Sequence, residues 1–163
     1  MNYPLRIALY EPDIPQNTGA ILRTAACLNL GVDIIEPCGF ILGSSRMRRS
    51  AMDYAKTVDL LQHESWEAFK AFYKTSRLIL LTTKAPLAHF NLTYEVGDIL
   101  ILGSETKGVS PQVHRVVNHK VRIPMAPRMR CLNVTQATAI VTGEALRQLK
   151  KYPNQNQTLQ DLD

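Results

Sequence analysis

The stretch of this chain best suited to chemistry runs from residue 123 to residue 146, with the sequence IPMAPRMRCLNVTQATAIVTGEAL. Two prolines end the strand that precedes it, because proline has no N–H to donate to a sheet. A cationic loop with Arg128 and Arg130 leads to Asn133, a good helix cap, and then to apolar residues at helical spacing. The start of a helix offers free N–H groups and a positive dipole end. The pattern favours a polar or anionic ligand, although an ordinary surface loop looks the same locally.

A second candidate is the loop Gly103–Gly108, with the sequence GSETKG. The phosphate-binding pattern G-x-x-x-x-G-K-[ST] requires lysine after the second glycine, where this chain has Val109. No G-x-G-x-x-G follows a predicted strand, so the sequence supports neither a Rossmann dinucleotide site nor a Rossmann-type methyltransferase site. The two glycines predict a tight turn with a left-handed position, which would also let a ligand approach the backbone.

Nucleophilic and metal chemistry are less well supported. Cys131 could act as a nucleophile only with a nearby base or a strongly cationic setting. The histidines closest to it in sequence, His114 and His119, precede the strand that leads to its loop. With His63 and His89 they complete the set of four, and their spacing matches no metal-ligand pattern. We therefore predict no metal site.

Length and composition indicate one ordinary globular domain of 163 residues. A hydrophobic fraction of 45% argues against disorder, collagen and coiled coil. The net charge of +5 favours an anionic partner. No apolar run approaches the ~20 residues that cross a bilayer, and the first residues lack the features of a signal peptide. Three cysteines without a CxxC pair fit free thiols, so we expect a cytoplasmic protein.

Strand and helix patterns alternate along the whole chain, which predicts an α/β fold with a parallel sheet flanked by helices. The predicted strands are Leu5–Tyr10, Val32–Ile35, Thr57–Leu61, Arg77–Thr82, Asp98–Leu102 and Lys120–Ile123. The predicted helices are 17–29 (ended by Gly31), 45–54, 65–74, 111–117 and 133–151. The two aliphatic runs 77–82 and 98–102 should lie in the middle of the sheet. One domain would span residues 1–151, followed by a polar tail at 152–163.

In open parallel sheets, ligands bind beyond the carboxyl ends of the strands. Polar and glycine residues gather at these positions in four segments, which are 17–23, 82–84, 103–108 and 124–133. Arginines form two further groups, Arg46 with Arg48 and Arg49, and Arg122 with Arg128 and Arg130.

Three of these segments resemble the ordered motifs of a known family. They are Asn17–Arg23 (NTGAILR), Leu102–Gly108 (LGSETKG) and Ile123–Thr135. Together they are similar to the SPOUT class of S-adenosylmethionine-dependent RNA methyltransferases. Matches at 9–12, 35–37, 48–49 and 81–84 point to the short members without an added RNA-binding domain. Those are tRNA (cytidine/uridine-2′-O-)-methyltransferases, which act on the wobble nucleotide at position 34.

The resemblance covers about residues 5–149 and implies a deep C-terminal trefoil knot, the SPOUT or α-β knot. Sequence reasoning alone would reject a knot, because knots are essentially absent from protein folds. The resemblance also implies S-adenosyl-L-methionine as cofactor, tRNA as partner, a homodimer, and neither a membrane nor a metal. A ribosomal RNA 2′-O-methyltransferase and a non-catalytic RNA-binding protein of the same fold stay open as alternatives.

Site residues follow from the resemblance position by position. The catalytic pair would be Arg23 and Asn17. The cofactor contacts would be Leu81, Gly103, Glu105, Ile123, Met125, Cys131 and Leu132. The RNA contacts would be Arg46, Arg48, Arg49 and Arg130. The chain departs from the family at Cys131, where serine is usual, at residues 134–136, where Leu-Ser-Asn is usual, and at Gly143, where many members carry tyrosine in the dimer helix.

Overall fold

The computed structural model describes residues 3–153, and most of the predicted polar tail, residues 154–163, lies outside them. Within the described residues, seven strands form one sheet in the order β3-β2-β1-β6-β4-β7-β5. The strands are β1 (Leu5–Tyr10), β2 (Gly31–Ile35), β3 (Leu60–His63), β4 (Leu78–Leu81), β5 (Leu87–Ala88), β6 (Asp98–Leu102) and β7 (His119–Arg122). Each neighbouring pair is parallel. The predicted parallel α/β fold is confirmed, and β6 and β4 lie inside the sheet as expected.

Helices cover both faces of this sheet. They are α1 (Pro15–Cys27), α2 (Ser45–Ala51), α3 (Trp66–Phe72), α4 (Pro111–Val116) and α5 (Val134–Leu149). Alternate side chains of β1 point to opposite faces, as a strand requires. Ile7 packs in a core with residues of α1, α2 and α5. Ala8 packs in a second core with residues of α3 and α4. The threading of a C-terminal knot stays a prediction.

The first helix differs from its sequence-based bounds at both ends. It begins at Pro15, because proline suits the first helical position, where an N–H has no partner in the helix. Asn17 therefore lies inside the helix and does not cap it. Asn29 takes the left-handed conformation after the helix, with φ 53°. The prediction that Gly31 ends the helix is wrong, because Gly31 is the first residue of β2.

Three other local predictions need correction. The predicted helix to Tyr54 ends at Ala51, and a 3-10 helix follows at Met52–Lys56. The third strand lies at Leu60–His63, about three residues later than predicted. The aromatic spacing of residues 66–73 predicts Phe72 on the packing side of α3, but Phe72 is 64% exposed. The short strand β5 and the 3-10 helix His89–Asn91 were missed, because two or three residues carry no periodic signal.

Candidate active site

A cleft of about 590 Å³ opens at the carboxyl ends of the central strands. Its walls come from the loops after β4, β6 and β7, together with parts of α1 and α5. The strand register explains the position, because Leu81 of β4 is level with Leu102 of β6 and with Val121 of β7. The three loops therefore leave the sheet side by side.

The cleft brings together eight residues singled out from the sequence. They are Asn17, Leu81, Gly103, Glu105, Ile123, Met125, Cys131 and Leu132. This set contains every predicted cofactor residue and one of the two predicted catalytic residues. Their contact with a cofactor stays a prediction.

A chain of hydrogen bonds around Glu105 joins the three sequence motifs. The backbone N–H of Asp13 donates to one carboxylate oxygen of Glu105 at 2.9 Å, and the Asn17 amide donates to the other at 2.9 Å. The side-chain amide of Asn133 donates to the Asn17 carbonyl oxygen at 3.3 Å. Glu105 and Asn17 therefore fix the loop after β6 against the start of α1 and the start of α5.

The loop after β6 has a second support that sequence analysis missed. One carboxylate oxygen of Asp13 accepts hydrogen bonds from the hydroxyls of Ser104 and Thr106, each at 2.5 Å, and from the Thr106 N–H at 3.2 Å. The Ser104 bond, followed by the Thr106 bond, holds the pKa of Asp13 below its usual value. In the sequence, the two prolines of residues 11–15 predict only a loop. The available signal was a carboxylate three residues after the end of a buried strand.

Gly103 and Gly108 have distinct reasons to be glycine. A Cβ on Gly103 would lie 2.7 Å from the carbonyl carbon of Gly108, so no larger residue fits. Gly108 has φ 69°, a conformation that glycine adopts at little cost. Ser104 and Gly108 exchange two backbone hydrogen bonds at 3.0 and 2.8 Å. The predicted tight turn with a left-handed position is confirmed.

The predicted cap of the long helix is also confirmed. The Asn133 side-chain oxygen accepts from the Thr135 N–H at 2.7 Å and from the Thr135 hydroxyl at 2.6 Å. The preceding loop is exposed, including Arg130 and the free thiol of Cys131. At Gly143 the Tyr152 hydroxyl donates to the backbone carbonyl at 3.0 Å, so a tyrosine from further along the chain lies against this position.

Arg23 is exposed on α1 and does not line the cleft. Its guanidinium carbon lies 5.5 Å from the centre of the Tyr54 ring, a cation–π contact. Sequence analysis did not single out Tyr54, which follows α2. The two segments meet because α1 and α2 approach closely at Gly19, where a Cβ would lie 2.4 Å from the Met47 carbonyl oxygen.

The helix α2 presents its arginines to solvent. Met47 and Ala51 are buried against the core, which leaves Arg46, Arg48 and Arg49 exposed. Across residues 3–153, no ion pair to a carboxylate involves these three arginines, Arg23 or Arg130. These cations are therefore available to an anionic ligand, and their contact with RNA stays a prediction.

The described part of the chain carries neither a metal-binding cluster nor a membrane-spanning helix. There, no group of three or more His, Cys, Asp or Glu side chains could hold a metal ion. Across residues 3–153, no helix has the length and apolar character needed to cross a membrane.

The sequence matches the SpoU rRNA Methylase family over residues 4–143. The chain belongs to this family. The resemblance drawn from the three motifs is thereby confirmed.

Two relatives share its length closely. A tRNA (cytidine(34)-2′-O)-methyltransferase of Beijerinckia indica is 47% identical over 145 residues, covering 88% of this chain and 91% of that protein. The enzyme of the same name from Escherichia coli K12 is 40% identical, covering 91% and 96%.

Solved structures agree with these relatives. One from work on the 2-OH methylation of C/U34 on tRNA superposes with a TM-score of 0.86 at 35% identity, covering 90% of this chain and 96% of the other. An rRNA methyltransferase from Sinorhizobium meliloti with AdoMet bound has a TM-score of 0.84 at 23% identity, covering 91% of this chain and 58% of the other. At this lower identity the likeness shows the fold.

Proposed function

We propose that this protein is a tRNA methyltransferase that transfers a methyl group from S-adenosylmethionine to the ribose 2′-hydroxyl of the wobble nucleotide, cytidine or uridine 34. The observation that carries the proposal is the bond chain from Glu105 through Asn17 to Asn133. It joins three family motifs around one cleft, in a chain whose relatives have this activity in their names.

The cleft fits the cofactor in size and chemistry. Its volume lies within the range of about 300–1,000 Å³ that small-molecule sites span. Leu80, Leu102 and Ile123 supply apolar surface for a base, and the Gly103–Gly108 turn presents backbone at close range. The seven cofactor residues predicted from the sequence would hold the molecule. When bound, S-adenosylmethionine supplies a methyl group on a sulfonium, which an oxygen nucleophile can take.

Arg23 would act on the ribose side of the reaction. An arginine keeps its proton in proteins, with a pKa above ~12, so it does not serve as the base. It would stabilise the negative charge that develops on the 2′-oxygen and bind a neighbouring phosphate. The guanidinium carbon of Arg23 lies over the Tyr54 ring, and this contact limits the orientations of the guanidinium.

Asn17 would fix where the ribose can lie. Its amide is held between Glu105 and Asn133, so its position is set by both other motifs. Well-oriented reacting groups gain roughly 7–11 kcal/mol through positioning alone. The RNA itself would be held through its phosphates by Arg46, Arg48, Arg49 and Arg130, which are exposed and without carboxylate partners in the described chain.

The proposal extends to the assembly. The loops around the cleft would belong to a deep trefoil knot, as the family resemblance implies. The family resemblance also implies a homodimer, with α5 as the dimer helix. We place the enzyme in the cytoplasm with its tRNA substrate.

Methyl transfer from labelled S-adenosylmethionine to tRNA tests the function. We expect incorporation into tRNA with cytidine or uridine 34, and none when nucleotide 34 carries a 2′-deoxyribose. Arg23→Ala should fold normally and lose at least about 100-fold in rate, the scale of a lost charge-stabilising group. Full activity in Arg23→Ala would refute its role.

Two measurements separate this function from the ribosomal RNA methyltransferase and from the non-catalytic RNA-binding protein. Label that enters ribosomal RNA and not tRNA would identify a ribosomal RNA 2′-O-methyltransferase. RNA binding without any calorimetric signal for S-adenosylmethionine would identify a non-catalytic RNA-binding protein.

A further inference from the structure

A second depression adjoins the cleft and is named here the cationic groove. It has a volume of about 570 Å³, and its charged or titratable lining consists of Lys84, His114, Arg115 and Lys120. It shares Thr82, Lys84, Val109 and His114 with the lining of the cleft, so the two spaces adjoin. The four groups come from the segment after β4, from α4 and from β7.

The charged side chains that line the groove, Lys84, Arg115 and Lys120, are all positive. Its lining holds no aspartate or glutamate. Across residues 3–153, no ion pair neutralises Lys84, Arg115 or Lys120. Burial lowers the pKa of His114, and the positive charges of Lys120 and Lys84 lower it further. Three cations held together without counter-charges attract an anion with several charges.

The groove lies on the opposite side of the cleft from the α2 arginines. In the sheet, β7 pairs with β4, and Lys120 is level with Leu80. The helix α1, which carries Arg23 and packs on α2, follows β1, and β6 separates β1 from β4. The cleft therefore has exposed cations on both sides.

We propose that the cationic groove binds backbone phosphates of the tRNA beside the nucleotide that enters the cleft. This inference rests on the proposed function. RNA fits better than an acidic protein, because the groove adjoins the cleft at Lys84 and His114. Whatever occupies it must lie next to the reacting ribose. Lysine and arginine at exposed positions are the usual partners of RNA phosphates, without regard to sequence.

The test uses Arg115→Gln with Lys120→Gln, since both residues line the groove and neither lines the cleft. The matched control is Lys70→Gln with Lys74→Gln, which also removes two exposed positive charges. Lys70 is on α3, which contacts β3 at the far edge of the sheet. Thermal unfolding verifies that both double variants are folded.

We expect the groove variant to bind tRNA about tenfold more weakly at moderate salt, as the loss of two exposed charge pairs predicts. The slope of log affinity against log salt should fall by about 1.4, roughly 0.7 for each lost phosphate contact. The control should keep the wild-type affinity and slope. Calorimetric titration with S-adenosylmethionine should give the same affinity for the groove variant and the wild type.

Two results would overturn the inference while the proposed function stands. One is a wild type that methylates tRNA and a groove variant with unchanged tRNA affinity and salt slope. The other is a groove variant that loses cofactor affinity and keeps tRNA affinity, since the groove would then belong to the cofactor site. If the wild type neither binds nor methylates tRNA, the groove inference and the proposed function fail together.

Discussion

At the scale of single residues, the contact with Tyr54 restricts the orientation of the Arg23 guanidinium, the candidate catalytic group. The guanidinium carbon lies 5.5 Å from the ring centre, and Tyr54 is 36% exposed. A cation–π contact at an exposed site contributes about 0.5–1 kcal/mol. Because Tyr54 contacts Arg23 and lies outside the cleft lining, we expect it to act by positioning the Arg23 guanidinium.

The first prediction concerns this ring. Tyr54→Leu should lower kcat for methyl transfer about fivefold, because a loss of about 1 kcal/mol in transition-state stabilisation has that effect. Tyr54→Phe keeps the ring and should restore the wild-type kcat. Single-turnover rates with saturating tRNA measure both, and KM should change little. Equal losses in the two variants would show that the hydroxyl matters and that the ring does not.

Residues that share a local motif could be predicted, and residues that act across the chain could not. Five of the seven cofactor candidates lie within three residues of a strand end, and Cys131 and Leu132 lie just before α5, so an element pattern and a motif locate them together. Asp13 and Ser104 are 91 residues apart, and neither sequence position indicates the other. Nothing in the sequence indicates a contact between Tyr54 and Arg23, because that contact depends on the packing of α2 against α1.

At the scale of elements, the packing of α1 on α2 connects Arg23 with the arginine-bearing helix. Gly19 makes this possible, because a Cβ there would lie 2.4 Å from the Met47 carbonyl oxygen and 2.9 Å from the Ala51 nitrogen. Both neighbours are backbone atoms, so relief requires that α2 move as a whole.

The second prediction is that Gly19→Ala destabilises the protein by a net of up to about 2 kcal/mol. Overpacking costs about 1–3 kcal/mol, and alanine regains about 1 kcal/mol through helix propensity. Urea unfolding measures the change, and tRNA affinity should fall because α2 shifts away from Arg23. Gly143→Ala is the matched control in α5, since its Cβ would meet only the flexible Tyr152 hydroxyl at 3.0 Å. A larger loss in the control would contradict the explanation.

Element boundaries show why the sequence-based assignment was partly wrong. Strands β1 and β6 have the predicted bounds because six and five apolar-rich residues give a clear pattern. Gly31 was assigned as a helix stop by its residue type alone. In the structure the Arg6 guanidinium occupies the space of its missing side chain, with Nη1 2.3 Å from an ideal Cβ. That requirement comes from tertiary packing and has no local signature.

At the scale of the whole molecule, a polar cluster around Asp33 connects strands β1, β2 and β3. Asp33 of β2 is fully buried and accepts hydrogen bonds from Arg6 of β1 at 2.7 Å and from the Tyr73 hydroxyl at 2.9 Å. The Asp33 oxygen that accepts from Tyr73, Oδ1, also lies 2.7 Å from His63 Nε2 of β3. Burial, and then the Asp33 charge, raise the pKa of Tyr73, so this hydroxyl stays a donor. The cluster fixes the order β3-β2-β1 at the edge opposite the cationic groove.

The third prediction compares the two carboxylates that Arg6 contacts, Asp33 at 2.7 Å and Asp59 at 2.6 Å. Asp33→Ala should lower the free energy of unfolding by about 3–5 kcal/mol, because it leaves a largely buried guanidinium without its buried partner. Asp59 is 38% exposed, and Asp59→Ala should cost no more than about 1 kcal/mol, because water replaces the lost contact. Urea unfolding at neutral pH measures both variants in parallel. Equal losses of unfolding free energy in the two variants would contradict the explanation that burial makes the Arg6–Asp33 pair the stronger one. Because neither carboxylate lines the cleft, S-adenosylmethionine affinity of the folded Asp59→Ala variant should match the wild type.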